Sequence, residues 1–210
     1  MADHVATVTL NDPESGNALT GSLCEELARV WARIRDDDDV RAIVIRAAGR
    51  DFSVSETDAL GTWPKSHRVW KPLVTAVQGE ITGGGLDCLA ESEIVLCSDT
   101  AMLVGVDTGA GAATLEPSAL AGLTRRLPLG TILRLTALGV DPRLSARGAM
   151  RLGIVSEVVS GDLLWSRADD VARSIARRPP AAVQAGVRAV WDLTGPVRRV
   201  TASGRPGAVP

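Results

Sequence analysis

Lys71-Pro-Leu-Val-Thr-Ala-Val-Gln-Gly-Glu-Ile-Thr-Gly-Gly-Gly-Leu-Asp87 is the stretch on which the reading of this chain turns. Leu73 to Val77 is a short apolar run of the kind that forms a buried parallel strand. Gly79 and the triplet Gly83-Gly84-Gly85 follow, after which Leu86, Leu89 and Ala90 fall at helical spacing. A strand that ends in glycines and opens a helix brings bare backbone N–H groups close to a ligand, at the positive end of the helix dipole. Anions or oxyanions can dock there. No Gly-Lys-Ser/Thr follows, so this is not a Walker A loop, and the Gly-x-Gly-x-x-Gly dinucleotide spacing is absent. Taken by itself, the triplet fits close backbone packing equally well.

Working outward, His4 to Leu10 alternates apolar and polar residues as a strand does, and Asn11 to Gly16 supplies turn residues. From Thr20, the residues Leu23, Leu27, Val30, Trp31 and Ile34 line one helix face, and the acidic run Asp36 to Asp39 stops a helix of about four turns. Val40 to Arg46 and Ile94 to Cys97 read as further buried strands. Strands alternating with helices predict an α/β fold with mostly parallel strands. Beyond residue 116 the pattern is helical, through Leu120, Leu123 and Leu127, then Ile132 to Leu138, Ser145 to Leu152 and Leu163 to Ile175. Pro128 and Pro142 mark breaks, and Arg177 to Pro180 reads as a stop. The expected organisation is a core over residues 1–115, a helical region over 116–194 and a loose tail over 195–210.

Composition narrows the function. A chain of 210 residues with 45% hydrophobic and 23% charged residues suits a compact globular domain. A net charge of −2 gives no electrostatic support to a nucleic-acid or anionic-membrane partner. The apolar runs are too short to span a bilayer as helices. Cys24, Cys88 and Cys97 are odd in number without Cys-x-x-Cys spacing, and no charged-then-apolar leader precedes Val5, so a reducing cytoplasm is the expected location. Two histidines and no tyrosine leave little room for His-based triads or His-ligand metal sites. Catalysis is expected to rest on carboxylates and backbone groups, with no metal.

Several motifs, in order, carry a resemblance: Val5 to Leu10, Asn11-Asp-Pro-Glu14, Asn17-Ala-Leu19, Asp39 to Ile45, Gly49-Arg-Asp-Phe-Ser53, Lys71-Pro through Gly79, Gly83-Gly84-Gly85 and Leu152-Gly-Ile-Val-Ser-Glu-Val158. Over roughly residues 5–190 the chain resembles the crotonase (enoyl-CoA hydratase/isomerase) superfamily. The resemblance implies a spiral of ββα units with a helical C-terminal region, here shortened, and assembly as a trimer or dimer of trimers. It also implies an acyl-CoA thioester as substrate, with no cofactor beyond the coenzyme A that the substrate carries. The thioester carbonyl would lie in an oxyanion hole made by the N–H groups of Gly84 and, from the loop Phe52-Ser-Val-Ser-Glu56, of Glu56. Ser55, Thr57, Asp58, Gly83 and Gly85 would line it.

The sequence also departs from that pattern. Ser55 stands where the family has glycine, and Glu56 where it has a small residue. Asp87 and Asp107 match the places of two catalytic glutamates; two carboxylates flanking an enoyl thioester can divide acid and base roles. Each aspartate falls short of glutamate by about 1.5 Å of reach. Glu116 is a reserve acid. The segment from Phe52 to Lys71 is short for the family, which opens the pocket; Trp70 is expected in the core, and Lys65, His67 and Arg68 in solvent. The expected activity is hydration or isomerisation of an enoyl-CoA. Hydrolysis of a thioester or C–C bond at the same oxyanion site, or silent CoA binding, stands as the alternative.

Overall fold

The computed structural model describes residues 3–54, 61–107, 113–114, 122–138 and 143–194. Five parallel strands form the main sheet, in the order β1 (Val5–Leu10), β2 (Ala42–Ala47), β3 (Leu73–Val77), β5 (Ile94–Ser98) and β10 (Glu157–Val159). Alternation along each strand builds two cores, one on each face. Ile43, Ile45, Leu73 and Val77 point to one side, where Leu27, Trp31 and Ile34 of helix α1 (Gly21–Asp36) and Leu86 and Leu89 of α2 (Gly84–Glu91) join them. Ala42, Val44, Val74, Ala76 and Leu96 point to the other, against α5 (Leu164–Ala176). Leu164, Ala168, Ala172 and Ala176 recur every fourth residue along α5 and form the stripe, one leucine and three small alanines, that packs on the sheet.

The expected strands and helices of the first hundred residues all form. β2 begins two residues later than its apolar run, and the Arg41 N–H just before it donates to the His4 carbonyl at 2.8 Å. Thr20 caps α1 by accepting from the Leu23 N–H at 3.3 Å. The other end of α1 is held from a distance. Lys71 is 4% exposed, and its ammonium donates to the carbonyls of Ile34 and Asp37. Burial draws the Lys71 pKa below its ordinary value, opposed by Asp37, Asp38 and Asp36. Lys71→Met, which keeps the apolar stem and removes the donors, is expected to lower stability by about 2–3 kcal/mol in urea denaturation; an unchanged midpoint would show that these carbonyls do not need Lys71.

The later segments do more than follow the core. β4 (Glu80–Ile81), β6 (Met102–Val104) and β9 (Arg143–Ser145) form a second small sheet, and β7 (Val106–Asp107) pairs antiparallel with β8 (Ala113–Thr114). Runs of two or three residues show no readable period, so these strands were not predicted. Helices α3 (Leu129–Leu138), α4 (Ala146–Leu152) and α5 match the predicted segments. Ser145 is the N-cap of α4, accepting from the Gly148 N–H at 3.2 Å. The Pro179-Pro180 pair does end α5, yet Pro180 also opens α6 (Pro180–Thr194) at the first helical position, where a missing N–H does no harm.

Candidate active site

β3 and α2 deliver the glycine triplet to one end of the parallel strands. Gly83 adopts φ 46°, a left-handed conformation that favours glycine, and is the N-cap of α2 without any side-chain capping bond. The next turn is closed by Gly85 N–H to the Thr82 carbonyl and Leu86 N–H to the Gly83 carbonyl, each 2.9 Å. Among the described residues nothing accepts from the N–H of Gly83 or Gly84. Two backbone donors are thus presented at the positive end of a helix. Gly85 serves packing instead: a Cβ there would come within 2.9 Å of Ile81 Cγ1 and 3.1 Å of Ser53 Cβ.

That approach brings the second predicted loop alongside. Ser53 bridges to Ile81, its carbonyl accepts from the Thr82 N–H at 2.9 Å, and Phe52 N–H donates to the Glu80 carbonyl at 3.0 Å. Asn17 organises this loop from below. It is fully buried at φ 55°, where asparagine is tolerated. Its side chain accepts from Asp12 N–H at 2.8 Å and donates to the carbonyls of Ala48 (2.9 Å) and Asp51 (3.0 Å). Its own carbonyl accepts from the Ser53 hydroxyl at 3.0 Å. The motif Asn17-Ala-Leu19 therefore has a physical role, tying the first turn to the loop that leads toward the triplet. Ser55, Glu56, Thr57 and Asp58 continue that loop and, like Glu116, lie outside the described residues.

Asp87 sits one turn into α2, three residues from Gly84 and so on the same helix face. It is 7% exposed. Asp107 lies beyond the small sheet on the same side as Gly84: Ile81 and Leu103 pair across β4 and β6, which run parallel, and Gly84 and Asp107 both follow in sequence at the end where these strands leave the sheet. Asp107 then pairs with Ala113. Cysteine chemistry is not favoured here. Burial pushes the thiols of Cys88 and Cys97 up, that of Cys97 to about 12, so neither forms a ready thiolate.

The segment of residues 62–71 differs most from expectation. Trp63 belongs to a loop whose basic and indole groups were expected near the CoA; it is 1% exposed, and its indole N–H donates to the Gly84 carbonyl at 2.9 Å. One residue earlier, the Thr62 carbonyl accepts from the Trp31 indole N–H at 2.7 Å. Lys65 was expected in solvent and is buried instead, donating to the Lys71 carbonyl and to Glu93, both at 3.0 Å. Glu93 also accepts from the Trp191 indole and the Leu73 N–H, so a nearly full set of partners offsets the desolvation of this pair. Trp70, expected in the core, is only partly buried beneath the Arg188 guanidinium, 5.8 Å from its ring centre. Glu91 of α2 accepts from the Lys65 N–H at 2.7 Å and the Ser66 hydroxyl at 2.9 Å. Burial holds its pKa above the ordinary value despite these bonds.

Comparison with known proteins agrees with this architecture. A family model described as enoyl-CoA hydratase/isomerase matches residues 1–193. The (E)-benzylidenesuccinyl-CoA hydratase of Thauera aromatica is 30% identical over 208 residues, covering 88% of this chain and 78% of that protein. Carnitinyl-CoA dehydratase of Proteus mirabilis is 28% identical, covering 86% and 74%. Among solved structures, an enoyl-CoA hydratase/isomerase from Mycobacterium paratuberculosis has a TM-score of 0.80 at 30% identity, covering 94% of this chain and 82% of that one. A monofunctional enoyl-CoA isomerase from M. smegmatis has a TM-score of 0.77 at 25% identity, covering 91% and 89%. A family-model match over residues 1–193, with relatives that share the fold and are 25–30% identical, makes this chain a member of the enoyl-CoA hydratase/isomerase family of the crotonase superfamily.

Proposed function

We propose that the chain binds an acyl-CoA thioester with its carbonyl oxygen on the Gly84 N–H, and hydrates or isomerises an enoyl-CoA using Asp87 and Asp107 as acid and base. The carrying observation is the Gly84 N–H, unused by the described residues at the start of α2, with a buried carboxylate on the same face one turn away. Glu56 is the proposed second donor, its loop continuing from the strand-like contact of Ser53 with Ile81. Ser55, Thr57, Asp58, Gly83 and Gly85 are proposed as substrate-binding residues, and Glu116 as the reserve acid.

As charge moves onto the thioester oxygen in the transition state, fixed donors stabilise it more than they stabilise the ground-state carbonyl. In hydration, one carboxylate takes a proton from water as its oxygen bonds to the β-carbon, and the other carboxyl group delivers a proton to the α-carbon. In isomerisation a carboxylate removes a proton from one carbon of the acyl chain and a proton returns to another. Both reactions are redox-neutral and call on coenzyme A only as part of the substrate.

Exposed Leu129 and Leu133 of α3, and Val190 and Leu193 of α6, support a homo-oligomer, for which a trimer is the proposed form. Three free cysteines support a reducing cytoplasm, and among the described residues no helix is long and apolar enough to cross a membrane. Mixing the purified protein with short- and medium-chain enoyl-CoAs should bleach the conjugated thioester absorbance, and Asp107→Ala should slow this on the order of 100-fold or more. Parent protein that binds the thioesters and leaves every one unchanged would refute the hydratase/isomerase assignment in favour of silent CoA binding.

A further inference from the structure

Three consecutive glycines form the least restrained backbone a chain can offer, because each lacks the Cβ that narrows φ and ψ. An oxyanion donor works only if it is already aimed when charge develops. Something must therefore hold the Gly83-Gly84-Gly85 backbone still. Gly85 is held by its N–H on Thr82 and by the close approach of Ser53 and Ile81. For Gly84, the described side chains offer one hydrogen bond, from the indole of Trp63 to the Gly84 carbonyl at 2.9 Å. Trp63 is 1% exposed, so this bond forms away from competing water, and the stiff ring leaves it few alternatives.

Trp63 is itself anchored on both sides. The Thr62 carbonyl before it accepts from Trp31 of α1, and the Lys65 N–H after it donates to Glu91 at the far end of α2. The short 62–68 segment is thus tied to α2 at its first residue, Gly84, and at its last, Glu91. The indole bond holds the Gly84–Gly85 peptide plane, and the Leu86 N–H on the Gly83 carbonyl at 2.9 Å holds the Gly83–Gly84 plane that carries the offered N–H, so fixing the first limits the rotation about Gly84 Cα that would re-aim the second.

We infer that Trp63 is a positioning residue of the oxyanion site, setting the direction of the Gly84 N–H through its hydrogen bond to the Gly84 carbonyl. The inference rests on the thioester reading above and adds a residue to it.

The test compares parent protein and Trp63→Phe, which keeps an aromatic ring and removes the N–H, using cinnamoyl-CoA. The absorption of this conjugated thioester moves to the red when its carbonyl accepts strong hydrogen bonds. Expected are a red shift on the parent, a shift smaller by about half on the variant, kcat for enoyl-CoA lower by about tenfold, and KM within about threefold. A merely structural tryptophan would change stability and leave the shift of the bound thioester intact; a variant with the parent's shift and kcat overturns the inference. If Trp63→Phe does not fold, benzothienylalanine at position 63, which exchanges the N–H for sulfur at nearly constant shape, gives the same readout. Bound cinnamoyl-CoA that shows no shift even on the parent overturns the oxyanion reading itself, and the role of Trp63 with it.

Discussion

Asp87→Ala is expected to cut turnover of an enoyl-CoA on the order of 10²–10⁴-fold, the usual contribution of a positioned acid or base, while the protein stays folded. Asp87 lies on the face of α2 that carries Gly84, and its 7% exposure keeps the carboxylate out of bulk solvent. Alanine is the best helix former, so the thermal transition should stay near that of the parent. The measurement is the decay of enoyl-thioester absorbance beside a circular-dichroism melt. A folded variant with full activity would remove Asp87 from the mechanism. Asp87→Glu sharpens the result: if reach limits the chemistry, one more methylene, about 1.5 Å, should raise the rate.

Asn17→Ala should be the most damaging single change to stability. Its side chain is fully buried and satisfies one donor and two acceptors on the backbone, at Asp12, Ala48 and Asp51. Alanine leaves these groups without partners in a space water does not readily enter. It must also adopt φ 55°, which asparagine tolerates and alanine does not. A loss of about 4 kcal/mol is expected, a large share of the stability of a domain this size. Urea denaturation measures it directly. A loss below about 1 kcal/mol would mean that the loop of residues 48–54 is held by its contacts with β4 instead.

Both variants act on residues that local pattern reading treated very differently. The glycine triplet at a strand-to-helix junction was legible within a few neighbouring residues, and Asp87, two residues beyond it, was singled out by the resemblance, as the match to a family glutamate. Asn17 was legible only as part of a recurring motif; two of the three partners of its side chain are 31 and 34 residues away. Lys65 was misread because a lysine between Pro64 and Ser66 carries no local sign that Glu93, 28 residues on, will be packed against it. Pro180 was read correctly as a stop but not as the start of α6, because a proline pair serves equally to stop one helix and to start the next. The small sheet escaped notice because its strands, of two and three residues, are shorter than any period.

The family resemblance singled out two aspartates as candidate acid and base; the sequence by itself determined the α/β alternation, the parallel character of the main sheet and the placement of the glycine triplet. These depend on hydrophobic spacing and backbone freedom, which act over one or two turns of chain. Tertiary structure alone decided that Trp63 would grip Gly84 across 21 residues and that Lys71 would close α1 across 37. It likewise decided that Gly84 and Asp107 would leave the small sheet at the same end. Such contacts are made by groups with ordinary local preferences, and become favourable only once packing has removed the water that would otherwise satisfy them.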